Sequence, residues 1–172
     1  MSTGKKALQE CPCGYFGHPT VQCVCSPVQI SRYLAKISGP LLDRIDLQIE
    51  VPALTPEEIT ATGAGEPSAA IRERVEAARQ VQRDRFRRSG TQCNAEMWSR
   101  QLRRHCELDP ASCRLIEQAM NRLGLSARGY DRVLKVARTI ADLAACERLE
   151  SAHVAEAVHY RALDRGYFRS VA

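Results

Sequence analysis

The feature that most constrains the fold is a succession of capped amphipathic segments between residues 93 and 165. Apolar residues recur at helical spacing through Leu115, Ile116, Ala119, Met120 and Leu123, and again through Val133, Leu134, Ala137, Ile140, Ala141 and Ala144. Asp109-Pro110 opens the first of these segments, Gly124 closes it, and Ser126 caps the next. A segment from about Asn94 to Cys106 precedes them with Met97, Trp98 and Leu102. Another, capped by Ser151, follows with Val154, Ala157, Val158 and Leu163 facing inward. Such short connections make neighbouring helices pack antiparallel, so the stretch predicts a compact four-helix bundle. Composition agrees with a mainly α chain: aromatic residues make up 5%, and Ala, Leu, Arg and Glu are strong helix formers.

Upstream the pattern is mixed. Residues 69–89 predict one long helix with a thin apolar stripe, Ile71, Val75, Ala78 and Phe86, stopped by Ser89-Gly90. Residues 62–68 read as a flexible linker. Thr55-Pro56-Glu57-Glu58 is a helix start, with a Thr cap, Pro at the first position and Glu three residues after the cap. Residues 28–37, with Val28, Ile30, Leu34 and Ile37, predict a short helix broken at Gly39-Pro40. The alternation Leu47-Gln48-Ile49-Glu50-Val51 predicts a half-buried strand ended by Pro52. A lone strand cannot satisfy its own backbone, so residues 1–60 are expected to be partly disordered and the bundle to fold alone.

Eight cysteines divide into two groups. Cys11, Cys13, Cys23 and Cys25 form C-x-C, nine intervening residues, then C-x-C, and Gly14, Gly17 and Pro19 let the chain reverse between the pairs. Four soft ligands brought together suit a structural zinc ion that staples a segment too short to own a core. His18 is placed to replace one thiolate, and the alternative is four free or disulfide-bonded thiols. Cys93, Cys106, Cys113 and Cys146 sit in helical patterns and read as small core residues. The polar, basic start at residues 1–6 and the absence of any long apolar run point to a reducing, cytoplasmic setting with no membrane span.

Two further elements could carry chemistry. In Leu41-Leu42-Asp43-Arg44-Ile45-Asp46 the apolar residues can anchor the segment while Arg44 projects outward, either to a phosphate on a neighbouring subunit or into an ion pair with Asp43 or Asp46. The stretch Arg72–Arg104 holds ten arginines and four acids, and Arg79, Arg83, Arg87 and Arg88 are candidate phosphate contacts for DNA. No base-reading signature accompanies them, and a merely solvated helix face is the alternative.

Three motifs in order resemble the C-terminal half of magnesium-chelatase-like AAA+ ATPases, and best their ComM/YifB competence-associated branch. They are C-P-C-G-Y with the second Cys pair, Y-L-A-K-I-S-G-P-L-L-D-R-I-D-L at residues 33–47, and L-S-A-R-G-Y-D-R-V-L-K-V-A-R-T-I-A-D-L at residues 125–143. The resemblance runs from about Cys11 to Arg165. It implies a helical lid at 91–165, a linker and basic helix at 61–90, and at 11–60 a remnant of the α/β core with a Cys-rich insertion. Residues 1–10 would be a disordered leader and 166–172 a tail. It implies that Arg44 is an arginine finger acting in trans on ATP of the next subunit in a homo-oligomeric ring, and that Arg128 is the second sensor. A cation in the first helical turn opposes the helix dipole, an independent sign that Arg128 has another purpose. The branch further implies DNA remodelling or branch migration in natural transformation or recombination.

The departures matter too. Gln9-Glu10 stands where the family has Asn-Pro, and the 172 residues contain no G-x-x-x-x-G-K-[ST] loop and no apolar strand ending in paired acids. The chain is therefore expected to be a fragment that does not hydrolyse ATP by itself, with ATP and magnesium bound only alongside a nucleotide-binding half. The competing expectation is a stand-alone zinc-stapled module that binds nucleic acid or protein.

Overall fold

In the computed structural model, residues 11–18, 20–60, 63 and 65–161 are described. The expectations for the leader at 1–10, for Pro19, for linker residues 61, 62 and 64, for Leu163 and for the tail at 166–172 lie outside them. Helices α1 (Pro27–Leu34), α2 (Gly39–Leu42) and α3 (Pro56–Thr60) precede the long α4 (Ser68–Phe86). A 3₁₀ turn (Asn94–Glu96) leads into α5 (Ser99–His105), α6 (Pro110–Leu123), α7 (Ala127–Leu143) and α8 (Ser151–His159).

Local chemistry explains most boundaries. The Asp109 carboxylate accepts from the Ser112 N–H at 2.7 Å, with Pro110 at the first helical position. Gly124 ends α6 with φ 59°, a left-handed conformation that costs glycine least. Ser126 caps α7 through the Gly129 N–H at 3.1 Å. Thr55 and Glu58 form a reciprocal capping box at α3. Helix α7 is the centre of the bundle, touching α4, α5, α8 and the 3₁₀ turn, while α6 packs on α8. Val133, Ala137 and Ala141, one helical turn apart, are fully buried on it.

Five expectations are corrected. First, residues 47–51 form no strand: Leu47, Ile49 and Val51 are 48%, 65% and 82% exposed, because no neighbouring strand lies among the described residues to pair with them. Second, Ile71 and Val75 are exposed; the buried stripe of α4 is Ala78, Gln82 and Phe86, since only the C-terminal half of that helix carries buried positions. Third, residues 94–106 are two elements. The Trp98 N–H bonds the Gln101 side chain at 3.3 Å, and α5 starts only at Ser99, leaving Trp98 57% exposed. Fourth, Glu150 and not Ser151 caps α8, its N–H donating to His153 Nδ1 at 3.1 Å. Ala144 is likewise the exposed C-cap of α7 instead of a core residue. Fifth, of the scattered cysteines only Cys106 is buried, and Cys93, Cys113 and Cys146 are half-buried.

The core also contains charge. The Arg85 guanidinium reaches Asp142 at 2.7 Å and Asn94 at 2.8 Å, and Arg138 holds the same carboxylate at 3.0 Å. Burial alone would push the Asp142 carboxyl up, but the Arg85 and Asn94 hydrogen bonds and the two arginine charges hold it below its ordinary range. This network joins α4, the 3₁₀ turn and α7.

Candidate functional site

Residues 38–48 form a series of tight turns. The Leu41 N–H bonds the Ser38 carbonyl at 2.9 Å, and the Arg44 and Ile45 N–H groups bond Leu41 and Leu42 at 3.0 Å. Arg44 stands at the outside of this turn, exposed, and among the described residues donates only to the Pro40 carbonyl at 3.2 Å. The ion pair with Asp43 or Asp46 does not form, because residues of the bundle occupy both acids. Asp43 accepts from Ser126 Oγ at 3.0 Å and lies 3.7 Å from the Arg161 guanidinium. Asp46 pairs with Arg132, Arg161 also donates to the Ile45 carbonyl, and the Gln48 N–H bonds the Tyr160 carbonyl at 2.9 Å. Arg161 is fully buried in this contact.

Ser126 therefore has two roles. It caps α7, and it holds the residue next to Arg44. Arg128, the second residue of α7, is exposed with no hydrogen bond or ion pair among the described residues. One serine thus links the turn that bears Arg44 to the turn that bears Arg128, across 83 residues of sequence. Sequence reasoning missed Arg132 and Arg161 altogether. Arg161 follows a helix end, where a basic residue is expected to sit on the last carbonyls, so no local signal pointed to its distant partners.

The four clustered thiols do converge. The sulfurs of Cys11, Cys13, Cys23 and Cys25 all lie within 4.8 Å of one another, a set that could hold a metal ion. Cys11 and Cys13 are 3.3 Å apart, Cys13 and Cys23 3.5 Å, and Cys11 and Cys23 3.7 Å. A disulfide needs about 2.0 Å, and all four are free. Tetrahedral thiolates at a zinc–sulfur distance of about 2.3 Å would sit roughly 3.8 Å apart, so the donor set fits. The reversal between the pairs uses Gly14 at φ 80° and Gly17 at φ 73°. His18 is not in the cluster: its Nδ1 accepts the Thr20 and Val21 N–H groups at 3.2 and 3.1 Å and so shapes the hairpin. Cys11 packs fully buried against Ile30 and Leu34 of α1.

These thiols ionise unevenly. The Tyr15 backbone hydrogen bond leads the effects that pull Cys13 down to about 6. Cys23 keeps a hydrogen bond from Cys25, but burial and the neighbouring thiols push it up to about 12. One thiolate is thus readily available, and full deprotonation calls for a cation.

Arg83 on α4 and Arg87 and Arg88 just past its C-terminus are exposed, and Arg83 is braced by Gln80 at 2.6 Å. Arg79 is half-buried and donates to Gln82 at 3.0 Å. A cavity of about 870 Å³ opens beside this helix towards the α7–α8 connection. Its lining holds four arginines, Arg85, Arg104, Arg138 and Arg148, against four acids, so its charge selects no ligand.

Residues 5–59 match the family described as magnesium chelatase, subunit ChlI, and residues 65–161 match its C-terminal part. The chain belongs to this family of AAA+ proteins, and the helical bundle is the lid domain. Within the family it is of the ComM/YifB type. It is 46% identical over 141 residues to the competence protein ComM of Haemophilus influenzae, covering 81% of this chain and 27% of that protein. It is 43% identical over 142 residues to YifB of Escherichia coli, with 82% and 27% covered, and 37% identical over 155 residues to Rv2897c of Mycobacterium tuberculosis, with 90% and 30% covered. The chain thus spans about a quarter of the length of these relatives. No helix among the described residues is long and apolar enough to cross a membrane.

Proposed function

We propose that this chain acts as the lid and arginine-finger portion of a ring-forming magnesium-chelatase-like ATPase that remodels DNA. Arg44 serves the nucleotide of the adjacent subunit, and Arg128 serves as the second sensor from the first turn of α7. The observation that carries this reading is that Arg44 is exposed while both flanking acids are taken by other arginines. A guanidinium spared from the ion pairs beside it is available for a phosphoryl group.

The 172 residues hold no phosphate-binding loop, so turnover would need a nucleotide-binding half to cradle ATP and magnesium. The four thiols would hold a structural zinc ion that fixes the hairpin on α1. Arg83, Arg87 and Arg88, with Arg79, would contact DNA phosphates without reading sequence. The role in competence follows the name of the Haemophilus influenzae relative, and a cytoplasmic location fits it.

Co-expression with the nucleotide-binding half of a ComM/YifB-type relative tests the reading. ATP turnover is expected only with both parts, and Arg44→Ala should lower kcat by about 10³-fold or more, as loss of an arginine finger does. Magnesium-dependent turnover by the chain alone would refute it. A zinc-stapled module that only holds nucleic acid remains the second reading, favoured by the exposed arginines at the C-terminal end of α4 and just past it. It would prevail if DNA binding persisted with a steep salt dependence and no ATPase assembled.

A further inference from the structure

The bonds that tie residues 43–48 to the rest of the described structure converge on two elements that meet at one end of the bundle. Ser126 and Arg132, near the N-terminus of α7, take Asp43 and Asp46, while Tyr160 and Arg161, just past α8, take the Gln48 N–H, the Ile45 carbonyl and Asp43. The seam between the two family matches runs through this contact, with 43–48 on one side and 126–161 on the other.

We propose that Arg132 and Arg161 are positioning residues that set Arg44, so that the lid and the finger move as one body. This rests on reading Arg44 as the finger. Arg44 is clasped at its preceding residue and at the two that follow it, which leaves its backbone little freedom of its own. Because Ser126 and Arg132 flank Arg128 on α7, any lid rotation that moves Arg128 must carry the Arg44 turn or break the clasp. The two clamps differ in strength. Arg161 is fully buried, and leaving a buried guanidinium without its partners is costly. The Arg132 and Asp46 side chains are 24% and 50% exposed, so this pair is the one that opens. Positioning a finger serves the charge that develops during phosphoryl transfer, so its loss should lower kcat and spare KM.

The test uses two readouts. On the chain itself, Arg132→Ala should speed amide exchange of residues 43–48 by about two- to fivefold, the range of a half-exposed pair, without loosening α7 or α8. With the nucleotide-binding half present, the same variant should lower kcat by about two- to fivefold at unchanged KM. The charge swap Asp46→Arg with Arg132→Asp should restore both, which a purely structural role of Arg132 within the lid would not allow. Unchanged exchange and unchanged kcat in Arg132→Ala would overturn the proposal. If Arg44→Ala abolishes turnover while Arg132→Ala leaves it intact, the positioning role alone falls. If Arg44→Ala leaves turnover intact, the finger reading falls and takes the positioning role with it.

Discussion

Between residues 94 and 161 the chain buries Met97, Val133, Ala137, Ala141 and Val154 almost completely, whereas among the described residues between 11 and 60 only Cys11, Ile30 and Leu34 are buried. The bundle supplies its own apolar core from five packed elements. The upstream segment has a core of Cys11, Ile30 and Leu34 with the sulfurs of Cys13, Cys23 and Cys25 packed against it, and past α2 it depends on polar clamps from the bundle. Charge follows the same division. In the bundle, Asp142 is sealed between Arg85 and Arg138, while Asp43 and Asp46 meet their arginines at a partly wetted surface. One region is stabilised by burial, the other by a small sulfur-lined core and by docking on the bundle.

The sharpest way to break this contrast is metal removal. If zinc occupies the four thiols, a chelator removes a term on the order of 10 kcal/mol from the hairpin. Amide protection of residues 11–34 should then collapse while the helical circular dichroism of the bundle holds. Cys11→Ser should act in the same direction and bring zinc below one ion per chain. A bundle that melts with the metal would show that the two regions are not independent.

Next in size is Asp142→Ala, which leaves Arg85 and Arg138 buried without their carboxylate. Urea unfolding should show the bundle losing about 3–5 kcal/mol, with residues 11–34 unaffected. A loss well under about 1 kcal/mol would mean that solvent reaches the pair.

The smallest effect concerns acid. Burial, helped by the charges of Arg85 and Arg104, pulls His105 below its ordinary value, so between that lowered value and about 6.5 the unfolded chain binds the proton and the folded one does not. Stability is therefore present above about pH 6.5 and falls as pH drops through the window below it. Asp142 is also lowered, so its contribution is present above about pH 4 and is lost as pH falls towards its folded value. Urea midpoints across pH 3–8 should show a shallow step and then a steeper one. His105→Gln should remove the first and leave the second, and an unchanged profile would refute this assignment.

Much of the bundle could be read directly. Asp109, Gly124 and Ser126 act on groups within five residues of themselves, and local hydrogen bonds follow from local sequence. The convergence of the four cysteines was legible for the same reason, since two glycines with positive φ suffice to fold the hairpin. The misreadings involve partners that a pattern does not contain. Leu47, Ile49 and Val51 alternate as a strand should, but a strand exists only against another strand. Ile71 and Val75 continue the stripe of Ala78 and Phe86, yet only the second half of α4 is buried. Ser151 has good capping chemistry, but His153 bonds back to the Glu150 N–H and moves the helix start by one residue.

The order of amino acids by itself determined the helices, their caps and a thiol set fit for a metal, because each arises from groups a few bonds or turns apart. Tertiary structure alone decided which arginine stays free. In D-R-I-D the nearest cation to both acids in sequence is Arg44, yet Arg132 takes Asp46 from 86 residues away, and Arg161, which also bonds the Ile45 carbonyl 116 residues away, lies 3.7 Å from Asp43. Packing of the bundle delivers those two guanidinium groups with little further loss of freedom, whereas Arg44 would have to bend back from an outward-facing turn. Competition between charges is settled by which of them the fold has already brought into place.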